Sequence, residues 1–226
     1  MLDNMLNNIR AVIIDLDGTM LDTAPDFHAA INLMLGDLNL PALDQARIIS
    51  FVGKGTENLL RQVLALSYPP AQLEQQFATA LRSYEHHYQQ INGRHTTLYP
   101  EVIAGLEAFQ AKGLRLACVT NKPIAFAVPL LKEKGLHAYF DVIYGGDSLP
   151  TRKPHPGPLL QVCADFDLAP GQIVAIGDSS NDVMAARAAG CRVFTVPYGY
   201  NHGVPIQDVD SDGIVSTLLD AARHIQ

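Results

Sequence analysis

Two acidic clusters carry the sharpest chemical signal in the chain. The first, Asp15-Leu16-Asp17-Gly18-Thr19, closes the apolar run from Ala11 to Leu16. Carboxylates one residue apart at the carboxyl end of a strand stand where open α/β sheets bind ligands. Gly18 can take a turn that other residues resist, and Thr19 can hydrogen-bond a neighbouring carboxylate. Acidic groups crowded into an apolar run are costly unless a cation or hydrogen bonds offset them. Asp-Gly is also an ordinary turn, so the motif gains meaning only from its company. That company includes Gly177-Asp178-Ser179-Ser180-Asn181-Asp182, which follows the buried run Ile173 to Ile176 and opens a helix. Helix capping accounts for the Ser and Asn. It does not account for Asp178 at the end of a strand. If the two strands are parallel, Asp15 and Asp178 share an edge, and their hard oxygens suit Mg²⁺ and a substrate phosphate.

Two further segments fit an anionic ligand. Thr120-Asn121-Lys122 follows the run from Leu114, and a hydroxyl plus backbone amides at a helix N-terminus can hold phosphate oxygens. Thr-Asn after a strand is also common turn chemistry. Lys153 lies in Thr151-Arg152-Lys153-Pro154-His155-Pro156, where prolines restrict the loop and aim the ammonium at low entropic cost. Its charge would screen repulsion between an anionic nucleophile and an anionic phosphoryl group, although a lone loop lysine is nearly always solvated and the role depends on the other motifs.

These segments must be positioned by strands and helices. Short, β-branched runs recur at Ala11 to Leu16, Leu114 to Thr120, Val142 to Tyr144, Ile173 to Ile176 and Arg192 to Val196. Their lack of polar alternation suits strands buried on both faces. Helical patterns lie between them, at Glu101 to Lys112, Ile124 to Lys134, Pro156 to Asp167 and Asp182 to Ala189. The alternation predicts a doubly wound, Rossmann-like α/β fold with a parallel sheet. From Leu21 to Arg94 the rhythm breaks. Only amphipathic helices are expected there, at Phe27 to Leu38, Glu57 to Leu66 and Ala71 to Gln90.

Composition sets outer limits. The chain of 226 residues is long enough for one core plus a smaller inserted unit. A formal net charge of −7 gives no overall attraction to nucleic acid or anionic membrane, so an anionic substrate needs a local positive site. No apolar run approaches the roughly 20 residues of a membrane span. The opening MLDNMLNNIR is too polar for a signal peptide. Cys118, Cys163 and Cys191 are far apart among apolar neighbours and read as buried core residues. A cytoplasmic protein, monomer or homodimer, without nucleic-acid or membrane partners is expected.

Taken in order, Asp15 to Thr19, Thr120, Lys153-Pro154 and Gly177 to Asp182 resemble the motifs of the haloacid dehalogenase (HAD) superfamily of phosphohydrolases. The likeness spans the whole chain. It implies a core formed by residues 1–20 and 95–226 and an inserted helical cap domain over 21–94. It further implies that Asp15 is a nucleophile forming an aspartyl-phosphate, and that Asp17 is the general acid and then base. Mg²⁺ would be held by the Asp15 and Asp178 carboxylates and the Asp17 carbonyl. Gly18, Thr19, Thr120 and Asn121 would bind the phosphoryl group and Lys153 would neutralise charge. Ser179 and Asp182 would support the site. Asp22 to Asp26, Val52 to Thr56 and Tyr198 to Asn201 resemble the bacterial phosphoglycolate phosphatase family within that superfamily, implying 2-phosphoglycolate as the small phosphorylated substrate.

Specificity is expected from the cap, with Gly53 and Lys54 offering amides and an ammonium to a substrate carboxylate. An exposed Gly-Lys-Gly turn explains the same residues. The eight histidines form no metal-ligand pattern, and His86 and His87 read as a solvated helix surface. Phe77, Tyr84 and Tyr88 read as core or cap contacts, and Tyr198 to His202, polar and aromatic enough to line a site entrance, reads equally as a surface loop and is taken as one. Phosphosugar phosphatases and mutases, pyrophosphatases and phosphonate hydrolases share the motif set and stay open as alternatives. A phospho-acceptor domain of receiver type uses similar residues but has no need of so long an insertion.

Overall fold

The computed structural model describes residues 5–201 and 204–226. In chain order the first elements are β1 (Ala11–Ile14), β2 (Leu21–Asp22), α1 (Ala24–Asp37), α2 (Gln45–Ile49), α3 (Thr56–Leu64) and α4 (Pro70–Ile91). After them come β3 (Thr97–Leu98), α5 (Val102–Ala111), β4 (Arg115–Val119), α6 (Ile124–Glu133), β5 (Val142–Tyr144) and α7 (Gly157–Phe166). The chain finishes with β6 (Ile173–Gly177), α8 (Ser180–Ala189), β7 (Arg192–Thr195), β8 (Gly213–Ile214) and α9 (Leu218–Arg223).

The apolar runs become one six-stranded parallel sheet in the order β5-β4-β1-β6-β7-β8. Alternate side chains of its inner strands serve two different cores. Val12, Ile14, Leu116, Cys118, Val174 and Ile176 pack under α5, α6 and α9. Ala11, Ile13, Ala117, Val119, Ile173 and Ala175 pack under α7 and α8. Both faces are covered, as the unbroken hydrophobicity of these strands requires. The fold is the doubly wound α/β arrangement expected from the sequence. All three cysteines are buried and free, and no helix among the described residues is long and apolar enough to cross a membrane.

The segment between β1 and β3 builds a third core of its own. Phe27, Ile31 and Met34 of α1 pack with Leu59, Leu60 and Val63 of α3 and with Leu73, Tyr84 and Tyr88 of α4. Pro70 starts α4 where a missing N–H costs nothing. Chain enters and leaves this helical unit side by side, because β2 and β3 pair antiparallel, Leu21 with Leu98 and Asp22 with Thr97. Asp26, wholly buried, ties the same junction: its carboxylate accepts from Gly93 N at 2.7 Å, His95 N at 2.8 Å and Thr96 Oγ1 at 2.5 Å. The short elements β2, β3, β8, α2 and α9 had no counterpart among the expected elements, being too brief to show a period.

Candidate active site

The strand order reverses at β1, where β4 and β5 are added on one side and β6, β7 and β8 on the other. Loops diverge at such a switch point and leave a crevice beyond the strand ends. The register sets Ile14 beside Cys118 and Ile176. Asp15, Thr120 and Asp178 therefore leave the sheet at the same edge. Backbone bonds hold the exits in place: Asp15 N donates to the Ile176 carbonyl and Thr120 N to the Tyr144 carbonyl, each at 3.0 Å.

Lys153, from the loop between β5 and α7, points its buried ammonium into this edge. Nζ lies 2.7 Å from Asp15 Oδ1, from Asp182 Oδ1 and from the Val119 carbonyl, which uses all three of its donors. Asp182 has a second task. Its Oδ2 accepts from Ser179 N at 3.1 Å and Ser179 Oγ at 2.7 Å, closing the first turn of α8. The same carboxylate thus caps a helix and orients the lysine.

Asp178 is held from the opposite side. Its Oδ2 accepts from Tyr200 N at 2.5 Å, and Thr19 Oγ1 lies 3.5 Å from its Oδ1. Gly18 sits at φ +83°, and a Cβ there would run into the Asp178 carboxylate and meet the Tyr200 ring. Glycine is required both by the backbone and by the space.

Carboxylate oxygens of Asp15, Asp178 and Asp182 all lie within 4.8 Å of one another. Burial pushes the Asp15 carboxyl up to about 7; Lys153 opposes this, while the charges of Asp182 and Asp17 add to it. Asp178 is pushed well above the usual carboxylate range by burial and by Asp182 and Asp15, against the Tyr200 amide and Lys153. Burial alone would lower the Lys153 ammonium, but Asp15 and Asp182 outweigh it and hold it above its ordinary value. Four carboxylates, Asp15, Asp17, Asp178 and Asp182, line the pocket with two ammonium groups, Lys122 and Lys153, a formal charge of −2. Crowded hard oxygens with an excess of negative charge fit a divalent cation bound through oxygen.

Above this floor the helical unit closes a pocket of about 50 Å³, with Phe27, Tyr84 and Tyr88 as its apolar wall. That space holds only a few water-sized bodies. The peptide before α3 is bonded down onto the sheet side: the Gly53 carbonyl accepts from Asn121 Nδ2 at 2.9 Å and from Asn181 Nδ2 at 3.1 Å. Asn121 Nδ2 also donates to the Lys153 carbonyl at 2.8 Å.

Of the residues expected at the site, Asp15, Asp17, Thr120, Asn121, Lys153, Asp178, Ser179 and Asp182 all line the pocket, and Gly53 lines it from the helical side. Thr19 lies behind Asp178, and Gly18 permits their approach. Lys54 is placed differently. It is exposed and lines a neighbouring groove with Arg152, His155 and Met184, which shares Lys153 and Asn181 with the pocket but not Asp15, Asp17 or Asp178. Asn121 spends its amide on clasping the Gly53 peptide.

Sequence reasoning missed three residues. Lys122 is buried in the pocket with Nζ 3.0 Å from Asp17 Oδ1 and 2.5 Å from the Tyr88 hydroxyl. Tyr88, expected as core, is buried yet also presents its hydroxyl to this lysine. Tyr200, expected on a surface loop, is buried against the helical unit, its hydroxyl 2.6 Å from Asp22 Oδ1 and accepting from Thr23 N at 2.8 Å. His202 of that loop falls outside the described residues.

Comparison with known proteins agrees with this geometry. The family model described as haloacid dehalogenase-like hydrolase matches residues 12–196. A phosphoglycolate phosphatase of Thiobacillus denitrificans is 47% identical over 96% of this chain and 96% of its own length. The phosphoglycolate phosphatase of Escherichia coli is 37% identical over 96% of this chain and 92% of its own. A crystal structure described as a predicted phosphoglycolate phosphatase from Haemophilus somnus superposes with a TM-score of 0.91 at 36% identity, covering 96% of this chain and 97% of that one. With the family match running from β1 to the end of β7, and with the acidic strand ends and buried lysine converging on one edge, the chain belongs to the haloacid dehalogenase-like hydrolases.

Proposed function

We propose that this chain is a Mg²⁺-dependent phosphatase that hydrolyses 2-phosphoglycolate to glycolate and phosphate. The observation that carries the reading is the Asp15 carboxylate, bonded to buried Lys153 in a pocket where Asp178 and Asp182 bring their carboxylate oxygens beside it. The names of the curated relatives support the substrate.

In the proposed reaction an Asp15 carboxylate oxygen attacks phosphorus, and the bond from phosphorus to the ester oxygen breaks. Asp17 gives its proton to that oxygen as glycolate leaves. Water then attacks the phosphorus of the aspartyl-phosphate, Asp17 takes the water proton, and the bond from phosphorus to Asp15 breaks. Lys153 offsets negative charge between the nucleophile and the phosphoryl group. The Thr120 hydroxyl, beside the Lys122 amide at 3.2 Å, is the candidate phosphoryl contact, with Asn121 beside it. Asp15, Asp178 and the Asp17 carbonyl would hold the cation, with Ser179 and Asp182 supporting them. When bound, that ion supplies charge neutralisation and in-line orientation. Residues 21–94 act as the cap and 1–20 with 95–226 as the core. Gly53 is the cap-side contact. The exposed Lys54 argues against a phosphonate hydrolase, which would need a cap lysine at the reacting carbon.

The test is phosphate release from 2-phosphoglycolate with Mg²⁺, with other divalent ions and with none, beside phosphosugars, pyrophosphate, phosphonoacetaldehyde and an aryl phosphate. Metal-dependent preference for 2-phosphoglycolate is expected. Preference for another member of the panel would overturn the substrate, and a stable phosphoprotein without turnover would overturn the enzyme.

A further inference from the structure

Two ammonium groups line the pocket, and their surroundings differ. Lys153 has its three donors committed to protein oxygens. Lys122 does not. Its side chain is 1% exposed, yet among the described residues Nζ has only two hydrogen-bond partners, Asp17 Oδ1 and the Tyr88 hydroxyl. The Phe27 and Tyr88 rings flank it at 4.6 and 4.8 Å from their centroids. Cation–π contact steadies an ammonium in such a place but accepts none of its N–H bonds. One donor of a desolvated cation is thus left for whatever enters, and a buried cation of this kind favours an anion.

Position adds to the argument. Asp17 follows Asp15 by two residues, its carboxylate bonds Lys122 Nζ, and all three side chains line the same pocket. A short ester must put phosphorus at Asp15 and its ester oxygen within reach of Asp17. The group next along the ester then lies beside Lys122. In 2-phosphoglycolate that group is a carboxylate, one methylene from the ester oxygen.

We propose that Lys122, set by Tyr88 and Phe27, is the residue that recognises the substrate carboxylate and so selects a carboxylated two-carbon ester over a neutral one. This rests on the phosphatase reading above and assigns specificity within it. It moves that task from Lys54, on the neighbouring groove, to a lysine supplied by the core and enclosed by helices α1 and α4. Tyr88 acts as a positioning residue, because its hydroxyl accepts from Nζ and touches no reacting atom in the scheme.

The experiment compares kcat/KM for 2-phosphoglycolate and for 2-hydroxyethyl phosphate, which replaces the carboxylate by a neutral hydroxymethyl group. Wild type, Lys122→Met and Tyr88→Phe are assayed with metal, and thermal melts check that each is folded. Lys122→Met keeps the aliphatic stem against the rings and removes the charge. It should lower the ratio of the two kcat/KM values on the order of 100-fold, the range for removing one partner of a buried charge pair, with the larger share in KM for the carboxylated ester. Tyr88→Phe should lower the ratio several-fold. Equal losses on both esters in Lys122→Met, carried by kcat, would overturn the assignment and leave the substrate standing. A wild-type enzyme that does not distinguish the two esters would overturn the substrate and the assignment together.

Discussion

Replacing Asp15 by Asn should stabilise the metal-free protein while abolishing turnover. Holding Asp15 ionised inside the fold is unfavourable because burial and the nearby Asp182 and Asp17 charges outweigh the help of Lys153. A carboxyl displaced from its ordinary 3.8 to about 7 corresponds to about 4 kcal/mol between its two protonation states. The sign follows from linkage: the folded protein binds this proton more tightly than the unfolded chain, so stability falls as pH rises from about 4 to about 7 and stays reduced above. Asn carries no charge, and its side-chain oxygen can still accept from Lys153. At pH 8 in chelator the variant should therefore gain up to about 4 kcal/mol, a melting temperature higher by roughly 10 °C for a chain of this size. At pH 4 the two proteins should melt together. Adding Mg²⁺ should raise the wild-type midpoint at pH 8 and leave the variant nearly unmoved. Differential scanning calorimetry at the two pH values, with chelator and then with metal, reads each quantity. An Asp15→Asn protein that melts below wild type at pH 8 in chelator would refute the electrostatic account. Wild-type turnover by the same variant would remove Asp15 as nucleophile.

Two other perturbations test the surroundings. Lys153→Met strips Asp15 and Asp182 of their shared buried partner; it should cost about 3–5 kcal/mol in urea unfolding and reduce phosphate release by at least about a thousandfold. Gly18→Ala forces a side chain toward Asp178 at a backbone angle of +83°, so the Mg²⁺ concentration for half-maximal activity should rise by about tenfold or more.

What the sequence revealed depended on how local each signal was. Asp15 and Asp178 stood out because a carboxylate ending an apolar run contradicts its neighbours, and parallel pairing then brought the two together. Lys153 was legible only in company with the other motifs, since a lone lysine in a loop is nearly always solvated. Lys122 stood in the segment read for an anion but its side chain carried no role there, because its burial comes from Phe27 and Tyr88 on α1 and α4. Tyr200 had the same disadvantage: its loop is polar, and its burial comes from helices far away in the chain. Asp26 resembled an ordinary acidic residue in the first turn of a helix, whereas its three donors lie beyond the end of α4. The long helices matched their amphipathic periods to within a few residues. Strands of two residues have no period to read.

The junction at Asp26 also ties the helical unit to the sheet at a single place. Two chain crossings could in principle flex independently and let the unit tilt, twist or slide. Here β2–β3 pairing and the three bonds to Asp26 lash the crossings into one axle. Two separate joints become one. Tyr200 lies on that axle, its hydroxyl on Asp22, Thr23 and Ala24 and its amide on Asp178. Phe27 and Tyr88 belong to the unit fixed by this junction, so the same few bonds also set where their rings meet Lys122.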